Sequence, residues 1–118
     1  MKSKKVGFYR ELSCGEKGDL SIKDAIRQTA DYEKENVLNY LCSAPLLSIA
    51  PGLSRDVIDS SHPIIGTMSI RTDGVWEWPG DLAYYIEKYN LCLPKEFLEF
   101  MVSKGFRPPD ENGIDYDE

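Results

Sequence analysis

Between Gly66 and Tyr89 the chain reads GTMSIRTDGVWEWPGDLAYYIEKY, and its apolar period switches from two to that of a helix within a few residues. A segment patterned this way must fold as a strand pair feeding directly into a helix. Met68 and Ile70 alternate with Thr67, Ser69 and Arg71, and Trp76 and Trp78 alternate with Val75 and Glu77. Asp73-Gly74 suggests a two-residue loop, which would pair Ile70 with Glu77 and Arg71 with Trp76, mixing the faces. A three-residue loop, Thr72-Asp73-Gly74, pairs Ile70 with Trp76 and Met68 with Trp78. Because a slip of one residue moves every side chain to the wrong face, the three-residue loop is the expected one. It stacks both tryptophans on Met68 and Ile70, and burial of two indoles is the expected use of that face.

Pro79-Gly80 ends the strand, and Asp81 is placed to cap a helix running to about Asn90. Leu82, Tyr85, Ile86 and Tyr89 form its inward stripe, leaving Ala83, Tyr84, Glu87 and Lys88 outside. Pro94 opens a further helix with Phe97, Leu98, Met101 and Val102 on its apolar face, and Gly105 is positioned to end it. The short connection predicts that these two helices pack as an antiparallel pair or corner. Earlier in the chain, Ser21 to Asp24 matches a capping box with Ile22, Ala25 and Ile26 inward. Asp31 is placed as the cap of a helix ending near Cys42, with Val37, Leu38 and Leu41 on its core side and Pro45 as its stop. Leu46 to Ala50 reads as a strand and Pro51-Gly52 as a turn. Arg55 to Asp59 is either a second short strand or an extended connection, and Val6 to Leu12 is read as extended.

These elements predict an α+β fold: a small antiparallel sheet centred on a 67–71/75–79 hairpin, with about four helices packed on one face. A chain of 118 residues fits a single domain, 1–118, with loose ends over 1–5 and 108–118 where apolar periodicity is missing. The three cysteines, Cys14, Cys42 and Cys92, are odd in number and match no zinc or disulfide spacing. Cys42 and Cys92 lie in apolar settings and are expected as small core residues. The first residues carry lysines but no apolar signal region, and no run is long enough to span a bilayer, so a cytoplasmic protein away from membranes is the expectation.

Twenty acidic against fourteen basic residues give a net charge of −6, which repels phosphate backbones and argues against nucleic-acid binding. Asp73, Glu77, Asp81 and Glu87 line the hairpin–helix region, and further acids crowd the C-terminal tail around Tyr116. Such charge is either a solvated surface or a docking face for a basic protein. No catalytic constellation emerges. His62 is the sole histidine and pairs with no nucleophile by a known motif. Asp56 and Asp59 lack the calcium-loop spacing, and Gly66, Gly74 and Gly80 are spaced as turns rather than as a phosphate cradle. No catalytic residue, cofactor site or metal site is therefore assigned. If the acidic edge is a docking face, its members are Asp73, Glu77, Asp81, Tyr84, Glu87 and Tyr116. Tyr84, on the outer side of its helix, is the expected aromatic anchor, although an ordinary amphipathic surface residue reads the same way.

The run TDGVWEWPGDLAYYIEKYNLCLPKEF, followed by GFRPP, resembles a group of small bacterial proteins that share TDG-x-W-x-WP-x-DLAYY-x-E-x-Y and then LP-x-EF. The matching positions are Thr72 to Gly74, Trp76, Trp78-Pro79, Asp81 to Tyr85, Glu87, Tyr89, Leu93-Pro94 and Glu96-Phe97, with Arg55 to Asp59 similar to an Asp-Val-x-Asp element of the group. The resemblance covers roughly the second half of the chain and implies a common fold, with no catalytic residues to carry over. In size, charge and want of a catalytic motif the chain also looks like the immunity proteins of bacterial toxin–immunity systems, including contact-dependent growth inhibition. That likeness implies a non-enzymatic partner that neutralises a cognate basic toxin, such as a nuclease domain, in the cytoplasm. A general interaction or regulatory module without a toxin partner is the alternative, and a small hydrolase is a third reading.

Overall fold

The computed structural model describes residues 4–12, 19–110 and 112. Along the chain come β1 (Lys4–Lys5), a 3₁₀ turn (Ile22–Ala25), α1 (Lys34–Ser43), β2 (Leu46–Arg55), β3 (Ile64–Thr72), β4 (Trp76–Pro79), α2 (Leu82–Tyr89) and α3 (Lys95–Ser103). The strands form one mixed sheet in the order β1-β4-β3-β2, with β1 parallel to β4 and the other neighbours antiparallel. The fold is α+β as expected. The helical layer differs from the expected four: three α-helices are present among the described residues, and the Ser21 capping segment is a single 3₁₀ turn.

The hairpin register differs from the expected one. Thr72 pairs with Glu77, Arg71 with Trp78 and Ile70 with Pro79. The cause is the side chain of Asp73, whose Oδ1 accepts the N–H groups of Val75 at 2.9 Å and Trp76 at 2.6 Å. Thr72 completes the turn by donating Oγ1 to the Trp76 carbonyl while accepting from the Gly74 N–H. Gly74 sits at φ +93°, in the left-handed region that the connection requires. A side-chain turn of this kind outranks the strand alternation that favoured the three-residue loop. Trp78 consequently shares a face with Arg71 rather than with Met68. The indoles pack instead at a tilt against helix residues, with ring centroids of Trp76 and Trp78 at 5.0 and 5.4 Å from Phe97, and Trp78 at 6.0 Å from Tyr40.

Three stripes supply the rest of the core. Val37, Tyr40, Leu41 and Ala44 come from α1, Leu82, Tyr85 and Ile86 from α2, and Phe97 and Met101 from α3. Val6, Tyr9 and Leu12 close it from the N-terminal segment. Asn90 ends α2 in the left-handed conformation, and its N–H bonds to the Ile86 carbonyl. α2 packs on α1, not chiefly on α3, through their buried stripes, and Lys34 Nζ ties the start of α1 to the Glu87 carbonyl and Asn90 Oδ1 at the end of α2. Lys4 and Lys5, expected in a loose end, pair with Trp76 and Glu77. Cys42 is exposed and Cys92 half-buried, whereas Cys14 lies outside the described residues. Pro51-Gly52, expected as a turn, lies within β2 at a bulge between Ala50 and Leu53, with Gly52 at φ +112°.

Candidate functional site

The reversal between β2 and β3 is made by Asp56 to Pro63, and Asp56 organises it. Its carboxylate is closed to solvent and accepts the Ile58 N–H at 2.7 Å and the Asp59 N–H at 3.0 Å. From α2, the Tyr89 hydroxyl donates to it at 2.6 Å and the Tyr84 hydroxyl at 2.8 Å. Lys88 Nζ stands 3.5 Å from Asp56 and 3.3 Å from Asp59, and lies over the rings of both Tyr84 and Tyr89. The backbone closes the same loop: the Asp56 N–H donates to the Pro63 carbonyl, and the Asp56 carbonyl meets His62 Nδ1. Tyr85 adds a further tie, accepting the Val57 N–H and donating to the Arg55 carbonyl.

The electrostatics match this geometry. Burial would raise the Asp56 pKa, but hydrogen bonds from Tyr89, the Asp59 N–H, Tyr84 and the Ile58 N–H outweigh it and hold the carboxyl well below the usual range. Burial and the adjacent carboxylate push Tyr89 up to about 12, so its proton stays on the hydroxyl. The Tyr84 hydroxyl, burial and the Asp59 carboxylate act on Lys88, and the net effect is a raised pKa. Every group is held in the protonation state that its hydrogen bond needs. The cluster therefore works as a clamp joining the 56–63 loop to α2. Among the described residues no buried side-chain polar atom lacks a partner, and no group of three or more potential metal ligands converges.

This arrangement redraws the expected acidic docking edge. Asp73 is buried, and it holds the hairpin turn and accepts from the Tyr40 hydroxyl at 2.7 Å, so it does not face outward. Asp81 is half-buried and accepts from Ser54 Oγ at 2.8 Å; burial raises its pKa and that bond partly offsets the shift. Tyr84 is half-buried with its hydroxyl on Asp56, so it is a member of the clamp rather than a free anchor. Glu77 is half-buried in β4, opposite Thr72 and beside Lys5. Glu87 is exposed at the end of α2, and Tyr116 lies outside the described residues. The structure thus brings Tyr84 together with Asp56, Lys88 and Tyr89, and leaves Glu87 as the exposed acid among the described members of the set.

A second feature lies across the clamp. Arg71 pairs with Trp78 on one side and Leu46 on the other, so all three share one face of the sheet. On that face Ser69 pairs with Ile49 and Thr67 with Leu53. The register shifts between Leu46 and Ser48 and between Ala50 and Leu53 keep these three large residues in one row, which uninterrupted alternation would scatter. Arg71 reaches over to the Ala44 carbonyl at the end of α1, and the row beyond it is uncovered. Leu46, Ile49 and Leu53 are 43%, 64% and 56% exposed. Residues 44–54 carry no charge. Sequence reading placed a strand at Leu46 but could not find this row, because the bulges that align it leave no mark in the apolar period. No protein-family model matches the chain, and neither the curated proteins nor the solved structures contain a match to it.

Proposed function

We propose that the protein is a non-enzymatic binding module of the immunity type, which docks on a cognate toxin domain in the cytoplasm and neutralises it. The observation that carries this reading is the uncovered row Leu46, Ile49 and Leu53 on the core face of the sheet. Interface centres are apolar and depleted of charge, with polar groups around them, and this row has that composition. The net charge of −6 supports a basic partner, since complementary fields speed encounter even where the contact itself is neutral. The clamp supports the same reading. Its polar groups are engaged with one another, and it holds the β2–β3 reversal firmly against α2 so that the row is presented on a fixed frame.

The test is co-expression with the product of the gene immediately upstream, which this reading requires to be a toxin. Protection of the cells and a co-purifying complex are expected, with both lost in Ile49→Lys and with slower association in Glu87→Lys. Cells that die despite soluble, folded protein, with no complex recovered, would refute the reading.

A further inference from the structure

We propose that in the absence of a partner the outer edge of β2 pairs with β2 of a second copy, giving a closed, reversible dimer. This pairing concerns the same row as the docking reading and rests on that reading for its biological consequence, though not for its physics. Among the described residues β2 has no strand on its outer side, so its edge presents unpaired backbone groups beside exposed Leu46 and Ile49. An edge of this kind is a template for another strand unless charge, proline or a bulge blunts it. Pro51 and the bulge after Ala50 blunt its second half, and the register shift between Leu46 and Ser48 interrupts its start, which leaves Ser48–Ala50 as the run available for pairing.

Charge selects the occupant. The chain as a whole is acidic, and most pairs of its surfaces would bring like charges together. Residues 44–54 carry none, so the two copies meet without repulsion at the seam. The opposite edge of the sheet is different: β1 is two residues long, and both are exposed lysines. Lysines on an edge disfavour strand addition. Head-to-tail growth of β1 onto β2 is therefore blocked, while β2 on β2 is self-complementary and closes about a twofold axis. A short strand run with a few half-exposed side chains offers less than the ~800 Å² per partner of a standard stable interface. The pairing is accordingly weak and concentration-dependent. Its consequence is that the rows of two copies lie side by side on one continuous sheet face in the free protein, and a partner that takes the β2 edge competes with the pairing.

Sedimentation velocity of the full chain alone, from micromolar to millimolar concentration, tests the pairing. The weight-average mass is expected to rise from one copy toward two. Ile49→Lys should hold it at one copy throughout, because it places two charges at the seam. Val102→Lys makes the same chemical change on α3, at a residue that is 62% exposed, and should leave the rise intact. Hydrogen exchange at the two ends of the range should show slowing at Ser48–Ala50 in the concentrated sample. A one-copy mass at every concentration overturns the dimer. A dimer that survives Ile49→Lys overturns its location, and a dimer without slowed exchange in β2 overturns strand pairing. Each of these outcomes leaves toxin protection to be judged separately by co-expression.

Discussion

Replacing Asp56 with alanine removes the acceptor of four hydrogen bonds between 2.6 and 3.0 Å, two from the loop backbone and two from α2 tyrosines. A buried donor left without a partner costs about 1–3 kcal/mol. The two tyrosines are only half-buried and the loop can turn its N–H groups toward water, so about 1 kcal/mol for each is the appropriate figure. Lys88 is 41% exposed and keeps Asp59, so it adds little. The expected loss is about 3–5 kcal/mol, in the range seen when a buried charged group loses its partner. Asp56→Asn retains one acceptor oxygen but forfeits the charge, and about 1.5–3 kcal/mol is expected. Urea unfolding followed through Trp76 and Trp78 fluorescence measures both. The sign of the pH dependence is fixed by the lowered folded-state pKa. The contribution of Asp56 is complete above its unfolded value of about 4 and declines as pH falls toward the folded value. The stability gap between the parent and Asp56→Asn should therefore narrow as pH drops from about 5 to about 2. A loss below about 1 kcal/mol in Asp56→Ala, or a gap independent of pH, would refute the clamp.

Asp81 should behave in the opposite sense. Burial raises its folded-state pKa, so its ionised form works against folding above the unfolded value, and Asp81→Asn is expected to stabilise the protein at neutral pH. That advantage should vanish below about pH 4, and parallel urea titrations should show the gap at neutral pH and none at the lower pH. At Gly80 an added Cβ would collide with Ser69 Oγ, beside the Gly80 N–H bond to the Ser69 carbonyl. Gly80→Ala should cost about 1–3 kcal/mol, and most of that should return in a Ser69→Ala background. An equal cost in both backgrounds, measured by thermal unfolding, would mean that Ser69 is not what the glycine accommodates.

The helical stripes were legible because their periodicity is local: Leu82, Tyr85 and Ile86 all point inward. The hairpin register was not, since one carboxylate accepting two N–H groups redirects a turn without altering the apolar pattern on either side. Asp56 was equally hidden, because its α2 partners lie far along the chain and no spacing connects them. A signal did exist. Tyr84, Tyr85, Lys88 and Tyr89 crowd one short helix with hydroxyls and an ammonium that need an acceptor when half-buried, and an aspartate flanked by Val57 and Ile58 was a candidate to supply it. Reading donors on one element as a demand for an acceptor elsewhere would have turned Asp56 from an unconvincing cation ligand into the centre of the site.

The short parallel pairing of β1 with β4 has a kinetic implication. β2, β3 and β4 follow one another along the chain, so their antiparallel contacts can form from neighbouring segments. Lys4 and Trp76, by contrast, must be brought together across β2, β3 and everything that precedes them in the chain. Closing that loop is entropically the most demanding step, and its two-residue strand returns little to favour it early. The N-terminal segment should therefore join last. Trp76, which Lys4 covers at 5.4 Å, would then report docking of the chain's beginning after the rest of the sheet has formed.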